Sequence, residues 1–178
     1  MSSFSVKVND QPVRAAMAQL LAKSQDQRVA MADIGEALKI YIDTRFATQS
    51  GPNGQKWLSD SLLTIEAFIK ARGGYSAKTG RLNKKGVALT ANKKILQGLT
   101  GELRRTIYWQ AFQNSLVVAS PKPYAAIHQF GGPFKAWGKQ TLHMPARPFM
   151  PIDQNGNLSP AAQKIVLDRL RFHLNAKN

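Results

Sequence analysis

The stretch at positions 29–49, "VAMADIGEALKIYIDTRFATQ", sets the architecture, because Met31, Ile34, Leu38, Tyr41 and Ile42 recur every three or four residues and share one stripe of a helix. A glycine- and proline-bearing stop, "QSGPNG", follows directly. A helix with one long apolar stripe must bury it against other elements, so the flanking sequence has to supply partners.

On the N-terminal side, "FSVKV" (4–8) alternates apolar and polar residues as a short strand does. "NDQP" then offers Asn9 or Asp10 as a helix cap with Pro12 in the first turn, and Val13 and Met17 begin an amphipathic helix. On the C-terminal side come Trp57 and Leu58. "SDSLLTIEAFIKARGG" (59–74) predicts a helix capped by Ser59 or Asp60, with Leu62, Ile65, Phe68 and Ile69 on its apolar face and Gly73 ending it. Leu99–Arg105 predicts a helical turn. Thr106–Phe112 and Ser115–Ser120 are rich in Ile, Tyr, Trp, Phe and Val, and are joined by Gln113 and Asn114, which predicts a β-hairpin with Asn114 suited to a positive φ. Tyr124–Phe130 forms a short helix stopped by Gly131 and Gly132. Ser159 caps and Pro160 opens a last helix, with Ile165, Val166, Leu170 and Leu174 inward. The expected class is α+β: a single compact domain over 1–178, helices packed on a small antiparallel sheet or hairpin, with an extended basic arm and a Pro-rich loop.

The basic arm is the segment 70–94. It holds eight cations, four glycines and no acidic residue, a composition expected of an exposed, flexible loop and not of an element. Lys78, Arg81, Lys84, Lys85, Lys93 and Lys94 are its candidates for contact with DNA or an acidic partner; a plain solvated loop is the alternative. The Pro-rich loop is "MPARPFMPI" (144–152), whose Pro145, Pro148 and Pro151 stand at polyproline spacing. Packing of Phe149 and Met150 onto the domain accounts for it better than a PxxP ligand does.

Composition narrows the function. The chain has 25 Lys and Arg against 10 Asp and Glu, a net charge of +15, which admits nucleic acid, an acidic protein surface or anionic headgroups as partners. Segments long and apolar enough to span a membrane are absent, as is the apolar core of a secretory signal. Zero cysteines exclude a disulfide framework, a zinc–thiolate site and a cysteine nucleophile. The three histidines include His128 and His143, but ligand spacing is missing, the serines carry no nucleophile-elbow pattern, and the glycines build no phosphate loop. No cofactor and no enzymatic activity are expected. A non-catalytic nucleic-acid-binding protein is the alternative reading, weakened because the strongest helix carries Asp33, Glu36 and Asp43, which repel phosphate.

Two blocks, "YAAIHQFGG" (124–132) and "HMPARPFMPI" (143–152), together with "KILQGLTGELRRTI" and a hairpin before them, resemble the phage virion morphogenesis proteins, the tail-completion family of Mu-like and related tailed bacteriophages. The resemblance runs from about Val8 to Leu174. It implies a structural virion protein at the head-proximal end of the tail or in the neck, made in the host cytoplasm. Such proteins form rings, commonly hexameric, around the DNA channel, touching neighbouring neck and tail proteins. On that reading Tyr124, His128, Phe130, Gly131, Gly132, Pro145, Arg147, Pro148 and Phe149 are the subunit-interface candidates, presented by two paired loops. The intervening "PFKAWGKQTL" (133–142) is assigned no element.

Overall fold

The computed structural model describes residues 10–23, 27–98, 100–136, 140–153 and 155–175. The strand expected at 4–8 lies outside them. In chain order the elements are α1 (Gln11–Lys23), α2 (Arg28–Thr48), α3 (Leu62–Ala71), α4 (Lys84–Asn92), α5 (Glu102–Thr106), β1 (Tyr108–Ala111), β2 (Leu116–Ala119), α6 (Ala125–Phe130), β3 (Gly132–Ala136), β4 (Gln140–Met144) and α7 (Pro160–Asn175). The class is α+β, as the sequence implies.

Helix α2 is the spine. Ala30, Met31, Ile34, Leu38 and Tyr41 pack with Ala162, Val166 and Leu170 of α7, and Val13 and Met17 of α1 close over the same cluster. Further along, Ile42 and Phe46 enter a second cluster with Trp57, Leu103, Ile107, Ala125, Phe149, Met150 and Ile152. Every residue of the stripe foreseen on α2 is therefore core. The helix ends in a left-handed residue, Gln49, with φ 52°, whose side chain then accepts a hydrogen bond from the Ile95 amide at 2.7 Å. A non-glycine in that conformation costs energy, and the side-chain bond offsets part of it.

The hairpin forms where the sequence puts it: β1 and β2 pair antiparallel with Tyr108 opposite Ala119 and Ala111 opposite Leu116. Asn114 takes no positive φ, however; among the described non-glycine residues only Gln49 and Leu96 do. Gly35 on α2 leaves room for the hairpin to approach, since a Cβ there would fall 2.6 Å from the Trp109 ring. The Trp109 indole N–H then donates to Glu36 at 3.2 Å.

Three expectations need correction. The helix over 62–71 is capped by Ser61, which accepts from the Thr64 amide, and buries Ile69; Leu62 and Leu63 are 77% and 72% exposed. The unassigned 133–142 stretch is a second antiparallel hairpin, β3–β4, with Phe134 opposite Leu142.

The third concerns 70–94, which is not elementless. Its glycines permit close approach: a Cβ on Gly86 would collide with the Gly74 carbonyl oxygen, so α4 lies directly on the exit of α3. Asn83 caps α4 by accepting from the Gly86 amide at 2.9 Å, and its Nδ2 donates to the Gly73 carbonyl at 3.0 Å. Tyr75 and Leu82 form an antiparallel bridge between them. Backbone bonding and caps do what apolar burial does elsewhere, and this kind of support is invisible to composition.

Candidate assembly surface

The two signature blocks meet. Helix α6 is short, and the extended Pro-rich segment runs beside it, with the Arg147 amide donating to the His128 carbonyl at 2.7 Å. Gln129 is 3% exposed, and its side-chain oxygen accepts from the amides of Phe149 and Met150, both at 2.9 Å. One amide side chain thus satisfies two adjacent buried donors of a segment that, being extended and proline-rich, has no ladder of its own. The Trp57 indole N–H donates to the Pro148 carbonyl at 2.9 Å. Gly131, at φ 71°, ends α6 where the segment crosses: a Cβ there would lie 2.8 Å from the Ala146 nitrogen.

Arg147 is 4% exposed. Its guanidinium donates from Nε to the Leu58 carbonyl at 2.8 Å and from Nη2 to the Ser59 carbonyl at 2.9 Å, and lies 3.2 Å from Asp60 Oδ1. The other Asp60 oxygen is held by Lys93. This buried carboxylate bridging two cations fixes the loop before α3 to both the Pro-rich segment and the end of α4. Lys93 accordingly belongs to an internal ion cluster and is withdrawn from the basic face; Lys78, Arg81, Lys84, Lys85 and Lys94 remain exposed.

The interface candidates therefore divide. Phe149, at 0% exposed, is core, 5.3 Å from the Phe46 ring centroid; Arg147 is interior; Gly131 is a crossing point; Pro145 and Pro148 are half-buried. These five organise the subunit and present little or nothing to a neighbour. Tyr124 and Phe130 are 40% and 43% exposed, and His128 and Gly132 are half-buried. Tyr124 and His128 stand edge to face at 5.9 Å, on the wall of a cleft of about 510 Å³ between α3, α6 and the 93–100 segment. Burial, helped by the Arg147 charge, pushes the His128 pKa below its ordinary value, against the opposing pull of Asp60. Neutral imidazole is the favoured form there, and its Nδ1 is buried without a partner among the described residues.

Exposed apolar surface that the sequence does not single out lies elsewhere: Leu58, Leu62 and Leu63 around the start of α3, and Leu142 on β4. Leu62 stands on the apolar face that the spacing of α3 predicts, and only the tertiary arrangement leaves it out. Among the described residues no group of three His, Asp or Glu side chains could hold a metal ion, and no helix is long and apolar enough to cross a membrane.

A single α+β domain of this kind, whose signature residues fasten an extended segment to a helical core and leave apolar edges bare, is the build of an assembly component. The chain belongs to the phage virion morphogenesis family, which it matches over residues 8–175. It is 35% identical over 78 residues to a protein of Escherichia phage Mu described as "putative capsid assembly protein G", covering 44% of this chain and 46% of that one. It is 34% identical over 67 residues to "Mu-like prophage FluMu G protein 2" of Haemophilus influenzae, covering 38% and 41% respectively. The matched stretches thus span under half the length of these relatives. No solved structure matches. The family places the chain in the building of a phage virion.

Proposed function

We propose that the chain is a ring subunit at the head-proximal end of the phage tail or at the neck, where it completes the tail and joins it to the head. The observation that carries this reading is the apolar surface one subunit leaves uncovered. Leu58, Leu62 and Leu63 are 65%, 77% and 72% exposed on one edge. The β3–β4 hairpin is the second feature: Pro133, Lys135, Thr141, Leu142 and His143 are all exposed, and a two-stranded hairpin by itself is marginal in water. A neighbouring copy that packs on it supplies the missing support, and repetition of one such head-to-tail contact closes a ring.

The cations fit the same reading. Lys84 and Lys85 occupy the first turn of α4, where the helix dipole disfavours positive charge. With Arg81 and Lys78 close by in sequence they make a basic patch that a DNA strand in the channel, or an acidic neck or tail neighbour, would neutralise. Catalysis plays no part in this proposal.

Multi-angle light scattering of the purified chain, paired with electron microscopy of particles lacking it, tests the reading. A discrete oligomer, and heads and tails that accumulate unjoined or tails of abnormal length, are expected. A strict monomer at high concentration together with normal particles refutes it. Changing Lys78, Arg81, Lys84 and Lys85 to Gln should leave the subunit folded and lower the yield of DNA-filled particles; unchanged yield removes the patch from the proposal.

A further inference from the structure

Ile40 on α2 and Phe172 on α7 are 60% and 62% exposed. Leu38 and Ile42 each stand about 200° around the helix from Ile40, and both are core, so Ile40 faces away from the two clusters that α2 organises. Ile40 and Phe172 border a notch of about 400 Å³ between the two helices, lined also by half-buried Ala37 and Ile165 and by exposed Asp168 and Arg169. The seam between α2 and α7 is already closed beneath it by Leu38, Val166 and Leu170. An aromatic and an aliphatic side chain left bare over a packed seam, with charge around them, have the make-up of an interface centre.

Charge says which partner fits. The chain carries +15, yet α2 and α7 hold four of its ten acids, Asp33, Glu36, Asp43 and Asp168. Three of them are paired: Asp33 with Arg169, Asp43 with Lys39 and Arg104, Asp168 with Lys164. Glu36, one turn before Ile40 and on the same face, accepts from the neutral Trp109 indole and makes no ion pair among the described residues. Such a face does not draw phosphate, and it does receive a basic protein surface with an apolar centre. The leucine edge at the start of α3 is one. Leu58, Leu62 and Leu63 are bare, Lys56 is exposed two residues before them, and the bond from Lys93 to Asp60 brings exposed Lys94 close to them.

We propose that the Ile40–Phe172 notch receives the leucine edge of a second copy of this chain, with Glu36 set against Lys56 or Lys94 of that copy. Edge and notch belong to different sides of the subunit: Trp57, the neighbour of Leu58, packs with Ile42 and Phe46, on the side of α2 away from Ile40. One copy therefore cannot close the contact on itself, whereas successive copies can, each giving its edge to the next in a head-to-tail order. The inference rests on the ring reading above and names the contact that repeats around the ring.

Complementation between variants tests it. Phe172→Lys and Ile40→Lys each put a cation in the notch, and each helix keeps its support because Asp168 and Glu36 stand four residues earlier. Leu62→Asp/Leu63→Asp spoils the edge with acids that suit the first turn of α3. By light scattering the unmodified chain should be a discrete oligomer, and Phe172→Lys and Leu62→Asp/Leu63→Asp should each be monomeric with the melting temperature preserved. Mixed in equal amounts, the two retain one intact edge and one intact notch, and should form a one-to-one dimer and nothing larger. An unmodified oligomer that persists in Phe172→Lys and Ile40→Lys, a dimer of Phe172→Lys alone, or a mixture that stays monomeric at high concentration overturns this contact and leaves the ring reading standing. An unmodified chain that is itself monomeric refutes the ring reading and the contact together. Should Phe172→Lys fail to fold, Ile40→Lys takes its place in the mixture; lost folding in both shows the two positions to be internal supports and overturns the proposal.

Discussion

Replacing Gln129 with Leu isolates the contact on which the two signature blocks depend. Leu is close to Gln in volume, so the change removes an acceptor without opening a large cavity. Two backbone donors then lose their partner, the amides of Phe149 and Met150, each now 2.9 Å from Gln129 Oε1. Those residues are 0% and 3% exposed, so water cannot step in. An unsatisfied buried donor costs about 1–3 kcal/mol, which sums to about 2–6 kcal/mol for the pair. Set against a typical net stability of about 5–15 kcal/mol, that is a large fraction. With a urea slope of about 2 kcal/mol per molar, the midpoint should fall by about 1–3 M. Gln110→Leu, at an exposed strand position, is the matched control and should shift stability by no more than about 0.5 kcal/mol. A loss below about 1 kcal/mol for Gln129→Leu, or one equal to the control, refutes the claim that this side chain fastens the Pro-rich segment.

Phe149→Ala should cost about 3–5 kcal/mol in urea unfolding, because a fully buried ring is lost and a cavity left, whereas Phe130→Ala, at a 43% exposed position, should keep the midpoint within about 0.5 kcal/mol and weaken oligomerisation seen by light scattering. Gly131→Ala combines a φ of 71° with a Cβ 2.8 Å from the Ala146 nitrogen and should cost at least about 1 kcal/mol; Gly98→Ala, where a Cβ meets nothing within 4 Å, should not. Because the His128 pKa is lowered by folding from its ordinary 6.5, the unfolded chain binds the extra proton between the two values, so stability should fall as pH drops through 6.5 and below. His128→Gln should flatten that part of a stability–pH curve, and an unchanged slope would show that another group carries it.

What periodicity could see, it saw well: the α2 stripe, the Ser159–Pro160 start of α7 and the β1–β2 hairpin are local signals, each contained within a few turns or a few strand residues. The misses share a cause, which is that the deciding contacts are remote in sequence. Leu62 looks inward by spacing, yet it is 77% exposed, and the Asp60 cluster just before α3 is built by Arg147 and Lys93 from other parts of the chain. The β3–β4 hairpin has a signal in the sequence, two five-residue runs separated by three residues that include Gly138, but a proline such as Pro133 counts against a strand. The structure seats that proline opposite His143 on a two-stranded hairpin, where among the described residues neither strand has a second neighbour and a missing amide is tolerated.

The candidate site was legible in membership and not in role. A motif rich in Phe, Arg and Pro suggests an exposed recognition surface, since those residues anchor interfaces. The electrostatics of this chain favour the opposite placement for Arg147. With 25 cations and 10 acids, an exposed arginine meets mostly like charge, whereas the buried Asp60 offers it a partner and two loop carbonyls accept from its Nε and Nη2. Removing one member of a buried ion cluster strands the others, so such a residue is held in place by folding alone. It follows that substitutions at the buried positions of the two signature blocks, Gln129, Arg147 and Phe149, should register first as lost stability. Substitutions at Leu62, Leu63 or Leu142, which touch little within the subunit, should register as lost assembly with the melting temperature preserved.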